Sequence, residues 1–398
     1  MRNIVKKTTL VSSLVLALSA NSMYAQSFEW ISSTEGNTWQ KSKAKLQTNA
    51  AQTPILDVNG SEEGTVFKAW GTCFNELGWD ALNMLPRKEQ ETILHKLFSP
   101  EGELRFTMGR FSMNANDYAR DWYSCDEVPG DFQLKYFNIN RDKTTLIPFI
   151  KAAQQYNPNM TFWMSPWSPP SWMKINHYYS VRSDRNQNQM SPLSDVALFE
   201  GSKEKNTKVF PQQLAVNDYF IQDPRYLQTY ANYFCKFIDA YKQQGIAISM
   251  VMFQNESWSY TNYPGCAWTA EGIIRFNTEY LAPTLKKQHP EIKLYLGTIN
   301  TNRYDVIDQV LSDPRMPETI QGVGFQWEGG QILPKLRAKY PQYKYVQTES
   351  ECGWGSFDWK AAEHTFGLMN HYLGNGCEEY TFWNAILYDG GFSGWGWK

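Results

Sequence analysis

The chain has 398 residues, with 38 Lys+Arg against 40 Asp+Glu and a formal net charge of -2. So even a balance excludes a nucleic-acid-binding field, and 42% hydrophobic residues exclude an intrinsically disordered chain. Aromatic residues reach 15%, with 16 Trp and 23 Tyr, enough to supply both a core and a surface for flat, hydroxylated rings such as sugars.

Residues 1–25 read as a secretory leader. Arg2, Lys6 and Lys7 form a positive start, Thr8–Ala20 is apolar or small, and Ser22-Met23-Tyr24-Ala25 places a small residue before a cut at Ala25/Gln26. The apolar run is too short to span a bilayer, no cysteine follows it for a lipid anchor, and no later stretch is long enough for a span. An exported protein, secreted or periplasmic, is expected. Residues 26–65 do not share the alternating rhythm of the rest of the chain and are expected to pack outside it.

From Val66 onward short β-rich runs alternate with longer helical stretches. Strands are expected at Val66–Phe74, Leu104–Phe111, Met160–Ser165, Ile246–Phe253, Ile292–Thr298, Thr319–Trp327, Tyr343–Thr348 and Glu379–Trp383. Helices are expected at Trp79–Phe98, Lys143–Gln155, Pro224–Gln244, Thr269–Gln288, Asn302–Leu311, Gln331–Tyr340 and Phe357–Leu373, with Asp223-Pro224 and Asp313-Pro314 as boundary punctuation. Strands and helices in this alternation predict an α/β fold, a (β/α)8 TIM barrel over residues 66–398. No Gly-x-Gly-x-x-Gly follows the first strand to suggest a doubly wound sheet. Pro166–Gln222, polar and rich in Asn, Ser and Pro, is expected to build a wall of the site. Asn384–Lys398 is Gly-rich and reads as a loop, so the last barrel helix is expected to be missing.

The six cysteines contain no Cys-x-x-Cys, and the five histidines show no metal-ligand spacing. No metal and no cofactor are expected, and the cysteine pairing stays open. In such barrels function sits at the carboxyl ends of the strands. The fourth strand runs into Phe253-Gln254-Asn255-Glu256 and the seventh into Val346-Gln347-Thr348-Glu349. Two glutamates facing one another across one mouth are what glycoside hydrolysis with retention needs, one to attack and one to donate a proton.

Gly71-Thr-Cys-Phe-Asn-Glu-Leu-Gly78, Ser165-Pro-Trp-Ser-Pro-Pro-Ser-Trp-Met-Lys174, Gln254-Asn-Glu256 and Thr348-Glu349 resemble glycoside hydrolase family 30, which groups glucosylceramidases with endo-β-1,6-glucanases. The resemblance runs from about Phe67 to the C-terminus. It implies Glu256 as acid/base, Glu349 as nucleophile, Arg110 orienting the nucleophile and Asp117 holding sugar hydroxyls. Asn255 is expected to bond the sugar 2-hydroxyl. Trp167 and Trp383 are expected to form an aromatic floor, and Trp172 to pack in the core. The family also carries a β-sandwich beside the barrel; residues 26–65 would be a remnant of it, and its C-terminal part is expected to be missing here.

Glucosylceramidases have His and Tyr at the end of the sixth strand, where this chain has Gln326 and Glu328. That departure, with the long loop after the third strand and the Tyr118/Trp122/Tyr123 cluster, favours a β-1,6-glucanase acting on a β-glucan, and a monomer is expected. The alternatives are a glucosylceramidase cleaving glucosylsphingolipids and a non-catalytic sugar-binding barrel.

Overall fold

The computed structural model describes residues 28–44, 64–181, 217–259, 261–350, 356, 358–391 and 393. The expected leader, Cys352 and most of the wall segment after Val181 lie outside the described residues. The chain divides into two units at Glu63/Gly64. In the first, β1 (Phe28–Thr34) and β2 (Asn37–Ala44) pair antiparallel about Glu35-Gly36, a small separate β-sheet.

The second unit is a barrel of eight parallel strands. These are β3 (Ala69–Phe74), β4 (Met108–Met113), β5 (Thr161–Pro166), β6 (Ile248–Met252), β7 (Lys293–Ile299), β8 (Gly322–Gln326), β9 (Lys344–Glu349) and β10 (Glu379–Asn384). Strands successive in sequence lie side by side, and β10 returns to pair with β3. The seam between β9 and β10 is closed by two isolated parallel bridges, Tyr345↔Cys377 and Ser350↔Phe382. Each of the eight expected strands overlaps one of these.

Alternate residues of a strand face opposite sides. Met108, Trp163, Met250, Met252, Tyr295 and Val346 form a small cluster within the barrel. Residues of the other parity, among them Phe111, Phe162, Val251, Leu294 and Tyr345, join the large core between barrel and helices. The inward parity continues along the strands to Arg110, Ser165 and Gln254. The interior therefore changes from an apolar floor to a polar mouth within two or four residues of each strand.

The helices are α1 (Glu76–Asn83), α2 (Arg87–Phe98), α3 (Leu146–Tyr156), α4 (Pro224–Gln243), α5 (Ala270–Arg275), α6 (Ala282–Gln288), α7 (Tyr304–Leu311), α8 (Met316–Thr319), α9 (Leu333–Lys339) and α10 (Trp359–Gly374). Two expectations need correction. The single helix expected at Trp79–Phe98 is two, because Pro86 cannot continue α1 and instead precedes α2. The helix expected at Thr269–Gln288 contains a π-helical turn at Phe276–Leu281, ending two residues before Pro283, whose missing N–H removes one α-helical bond. Among the described residues β10 is followed only by a 3-10 turn at Asp389–Gly391. Cys73, Cys125, Cys235, Cys266 and Cys377 are buried thiols without disulfides. No helix among the described residues is long and apolar enough to cross a membrane.

Candidate active site

Arg110 occupies the inward face of β4 and is fully buried. Its guanidinium lies over the rings of Trp163, Trp167 and Trp383, at 4.9, 4.5 and 5.6 Å from their centres. A planar, weakly hydrated cation tolerates such a setting where an ammonium would not. Nη1 donates to Glu349 Oε2 at 2.7 Å and to the Thr348 carbonyl at 3.1 Å. Nη2 donates to Asn255 Oδ1 at 2.7 Å and to Ser165 Oγ at 3.2 Å. One side chain thus ties together the ends of β5, β6 and β9.

Glu349, the last residue of β9, is buried. Its Oε1 accepts from Trp327 Nε1 at 2.8 Å, and its Oε2 also accepts from Gln326 Nε2 at 3.3 Å. Glu256 lies four residues beyond the end of β6, at a φ of 51°. A non-glycine residue in this left-handed region is held there by its surroundings, a kind of strain that clusters at functional sites. Glu256 Oε1 accepts from Gln326 Nε2 at 3.0 Å, and Oε2 accepts from Tyr263 Oη at 3.0 Å. The Thr348 hydroxyl lies 3.0 Å from Gln326 Oε1 as its donor, which turns the amide nitrogen toward the two carboxylates.

Electrostatics separate the pair. Among the described residues Arg110 forms its ion pair with Glu349. Glu256 is pushed up to about 7, first by burial and then by the charge of Glu349, against opposing hydrogen bonds from Ser259, Tyr263 and Gln326. Asp117 is also buried and pushed well above the usual carboxylate range, by burial first and then by Glu349 and Glu256. Its Oδ1 has no hydrogen-bond partner among the described residues. Asn255 Oδ1 is engaged by Arg110 and by Thr298 Oγ1 at 2.9 Å, so its Nδ2 donor is what it can offer a ligand.

The structure therefore brings Arg110, Asp117, Asn255, Glu256, Gln326 and Glu349 to one mouth. Trp167 and Trp383 stack at 5.5 Å beneath them, but differently exposed. Trp167 is 2% exposed, packed against Arg110, whereas Trp383 keeps part of its surface open. Trp172 is buried, its Nε1 donating to the Asp126 carbonyl at 3.0 Å. The expected Tyr118/Trp122/Tyr123 cluster separates into different contacts. Tyr118 meets Trp383 edge-on, Trp122 meets Tyr178 and Tyr179, and the Tyr123 hydroxyl donates to Asp142 at 2.7 Å. Two residues that touch the carboxylates, Tyr263 and Trp327, were not among the residues singled out from sequence; an aromatic residue with a polar edge in each strand-end loop was the available signal.

Among curated proteins, a mouse lysosomal acid glucosylceramidase is 24% identical over 391 residues, covering 92% of this chain and 68% of its own length. The endo-1,6-beta-D-glucanase neg1 of Aspergillus fumigatus is 24% identical over 255 residues, covering 63% of this chain and 47% of its own length. The chain spans less than two thirds of the length of several curated relatives it matches, 61% of one from Caenorhabditis elegans and 47% of the Aspergillus fumigatus glucanase. The crystal structure of SrfJ from Salmonella typhimurium superimposes with a TM-score of 0.70 at 19% identity, covering 89% of this chain and 74% of that one. The TIM-barrel domain model of glycosyl hydrolase family 30 matches residues 67–188 and 219–395, which take in every barrel strand and both facing glutamates, and the chain belongs to that family.

Proposed function

We propose that the chain is a retaining β-glycoside hydrolase acting outside the cytoplasm on β-1,6-linked glucan, with Glu349 as nucleophile and Glu256 as acid/base. The observation that carries this reading is the Gln326 amide shared between the two carboxylates, at 3.0 and 3.3 Å. Oxygens within reach of one nitrogen at those distances lie closer together than the ~6.5–9.5 Å separation of inverting pairs. Such spacing leaves no room for a water between carboxylate and sugar, and supports direct attack.

In the first step a Glu349 oxygen bonds to the anomeric carbon as the bond to the leaving oxygen breaks. Glu256 gives that oxygen its proton. In the second step Glu256, now a carboxylate, takes a proton from water; the water oxygen attacks the same carbon and releases Glu349. The raised Glu256 supports the role of acid at neutral pH, and the Arg110 ion pair matches the charge of Glu349. Asn255 Nδ2 suits the 2-hydroxyl, and Asp117 Oδ1, without a partner among the described residues, suits another hydroxyl of the same ring. The glucan reading is supported by the likeness to an endo-1,6-glucanase and by Gln326 at the position of the glucosylceramidase histidine.

The test is hydrolysis of β-1,6-glucan against a glucosylsphingolipid, with the fresh product followed by proton NMR. Glucan cleavage giving the β-anomer first is expected. An initial α-anomer would overturn retention, and turnover of the lipid alone would overturn the glucan reading. Glu349→Gln should reduce turnover by several orders of magnitude with the fold intact.

A further inference from the structure

Trp327 follows β8 directly and sits at a φ of 49°, a left-handed conformation strained for a bulky side chain. Its indole N–H is bound to Glu349 Oε1 at 2.8 Å, and its carbonyl accepts from the Tyr372 hydroxyl at 3.3 Å. Held at both ends, the ring cannot swing away without releasing Glu349. Yet the residue is 38% exposed, whereas Trp167 of the same mouth is buried. An open aromatic surface is thereby fixed beside a catalytic carboxylate. The next residue, Glu328, carries a buried Oε2 with no hydrogen-bond partner among the described residues. A stacking surface one residue along the chain from an acceptor left without a partner among the described residues suits a hydroxylated ring and not an alkyl chain.

We propose that Trp327 and Glu328 form a second glucosyl subsite, adjoining the ring under attack, where Trp327 stacks on the sugar and Glu328 accepts one of its hydroxyls. The inference rests on the glycan-hydrolase reading above and sharpens it: the recognised ligand is a saccharide of at least two rings. It also gives Trp327 two separable duties, since the ring face holds substrate while the N–H positions the nucleophile.

The two duties are tested apart. In a Glu256→Gln background, which binds without turnover, calorimetry compares a β-1,6-linked gluco-tetraose with a monosaccharide iminosugar that fills one ring site. Relative to Trp327→Phe, which loses the same N–H, Trp327→Ala should weaken the tetraose roughly 10–100-fold, as lost base-on-aromatic stacking does elsewhere, while the two variants bind the iminosugar equally. Glu328→Gln should weaken the tetraose alone. Trp327→Phe keeps a ring and loses the N–H, so tetraose affinity should persist while kcat falls in the otherwise unaltered enzyme. If Trp327→Ala and Glu328→Gln leave tetraose affinity intact, or weaken both ligands alike, in protein that still cleaves glucan, the subsite is overturned and the hydrolase reading stands. If the unaltered enzyme neither binds nor cleaves β-1,6-glucan, the glucan reading falls and the subsite falls with it.

Discussion

A carboxyl group suited to donate a proton at neutral pH is a poor group to bury in a folded protein. Glu256 has an ordinary value of 4.5 and is pushed up to about 7 by burial and by Glu349. Between those values the folded chain binds a proton that the unfolded chain has released, so stability falls as pH rises through that window. Glu256→Gln removes the penalty. The variant should match the parent in thermal stability near pH 4 and exceed it at pH 8, by about 1–3 kcal/mol. Catalysis should follow the same group: kcat/KM should decline as pH rises through about 7, when the acid loses its proton. A melting difference that is constant with pH would show that Glu256 is not the group that titrates. The two glutamates were legible in the sequence because each stands where an apolar strand meets a loop. Tyr263 and Trp327 were not, because their contacts depend on loop conformation, including the left-handed backbone of Trp327 and Glu256, and no periodicity encodes that.

At the scale of elements, strands proved more legible than helices. Each strand is a short β-rich run bounded by turn residues, and burial on both sides leaves little freedom in where it lies. Helical periodicity, by contrast, carries straight through Pro86, where the helix breaks, and through Pro283, where it continues only by way of a π-helical turn. Barrel closeness also sets a demand that only glycine meets. At Gly71 in β3, a Cβ would lie 1.9 Å from the Met108 carbonyl oxygen on the neighbouring strand β4. The obstacle is backbone, fixed by the parallel ladder, so no side-chain rotation relieves it. Gly71→Ala should destabilise the barrel by about 3 kcal/mol or more, measured by denaturant unfolding. Since Cys73 continues the same strand toward Arg110 and Glu349, a parent-like midpoint would mean that β3 shifts in register to accept the methyl group.

A barrel is a ring, and its cooperativity depends on the seam least well joined. Seven neighbouring pairs share ladders, whereas β9 and β10 meet through two isolated bridges. Glu378, just before β10, reinforces that seam from both sides. Its N–H donates to the Tyr345 carbonyl at 2.8 Å on β9, and its carbonyl accepts from the Lys68 N–H at 2.7 Å just ahead of β3. Its carboxylate bonds the Lys68 ammonium and pairs with Lys344 at 2.9 Å. Burial alone would raise this carboxyl group, but the bonds from Lys68 and Lys344 outweigh it and hold the group below its ordinary value of 4.5. A lowered folded-state value means the stabilisation is present above the unfolded-state value and is lost as pH falls through the folded one. Both lysines are about half exposed, so the pair is worth less than a buried one. Glu378→Gln should therefore cost about 1–2 kcal/mol at pH 7. The gap from the parent should close as pH falls below the usual glutamate range near ~4.3. Because the seam completes the ring, the loss should appear as a lower midpoint for unfolding of the whole barrel, with faster hydrogen exchange at the amides of Ser350 and Glu378. A gap that persists unchanged at low pH would place the contribution of Glu378 in its backbone bonds and its packing, and would remove the ion pairs from the account of how the barrel closes.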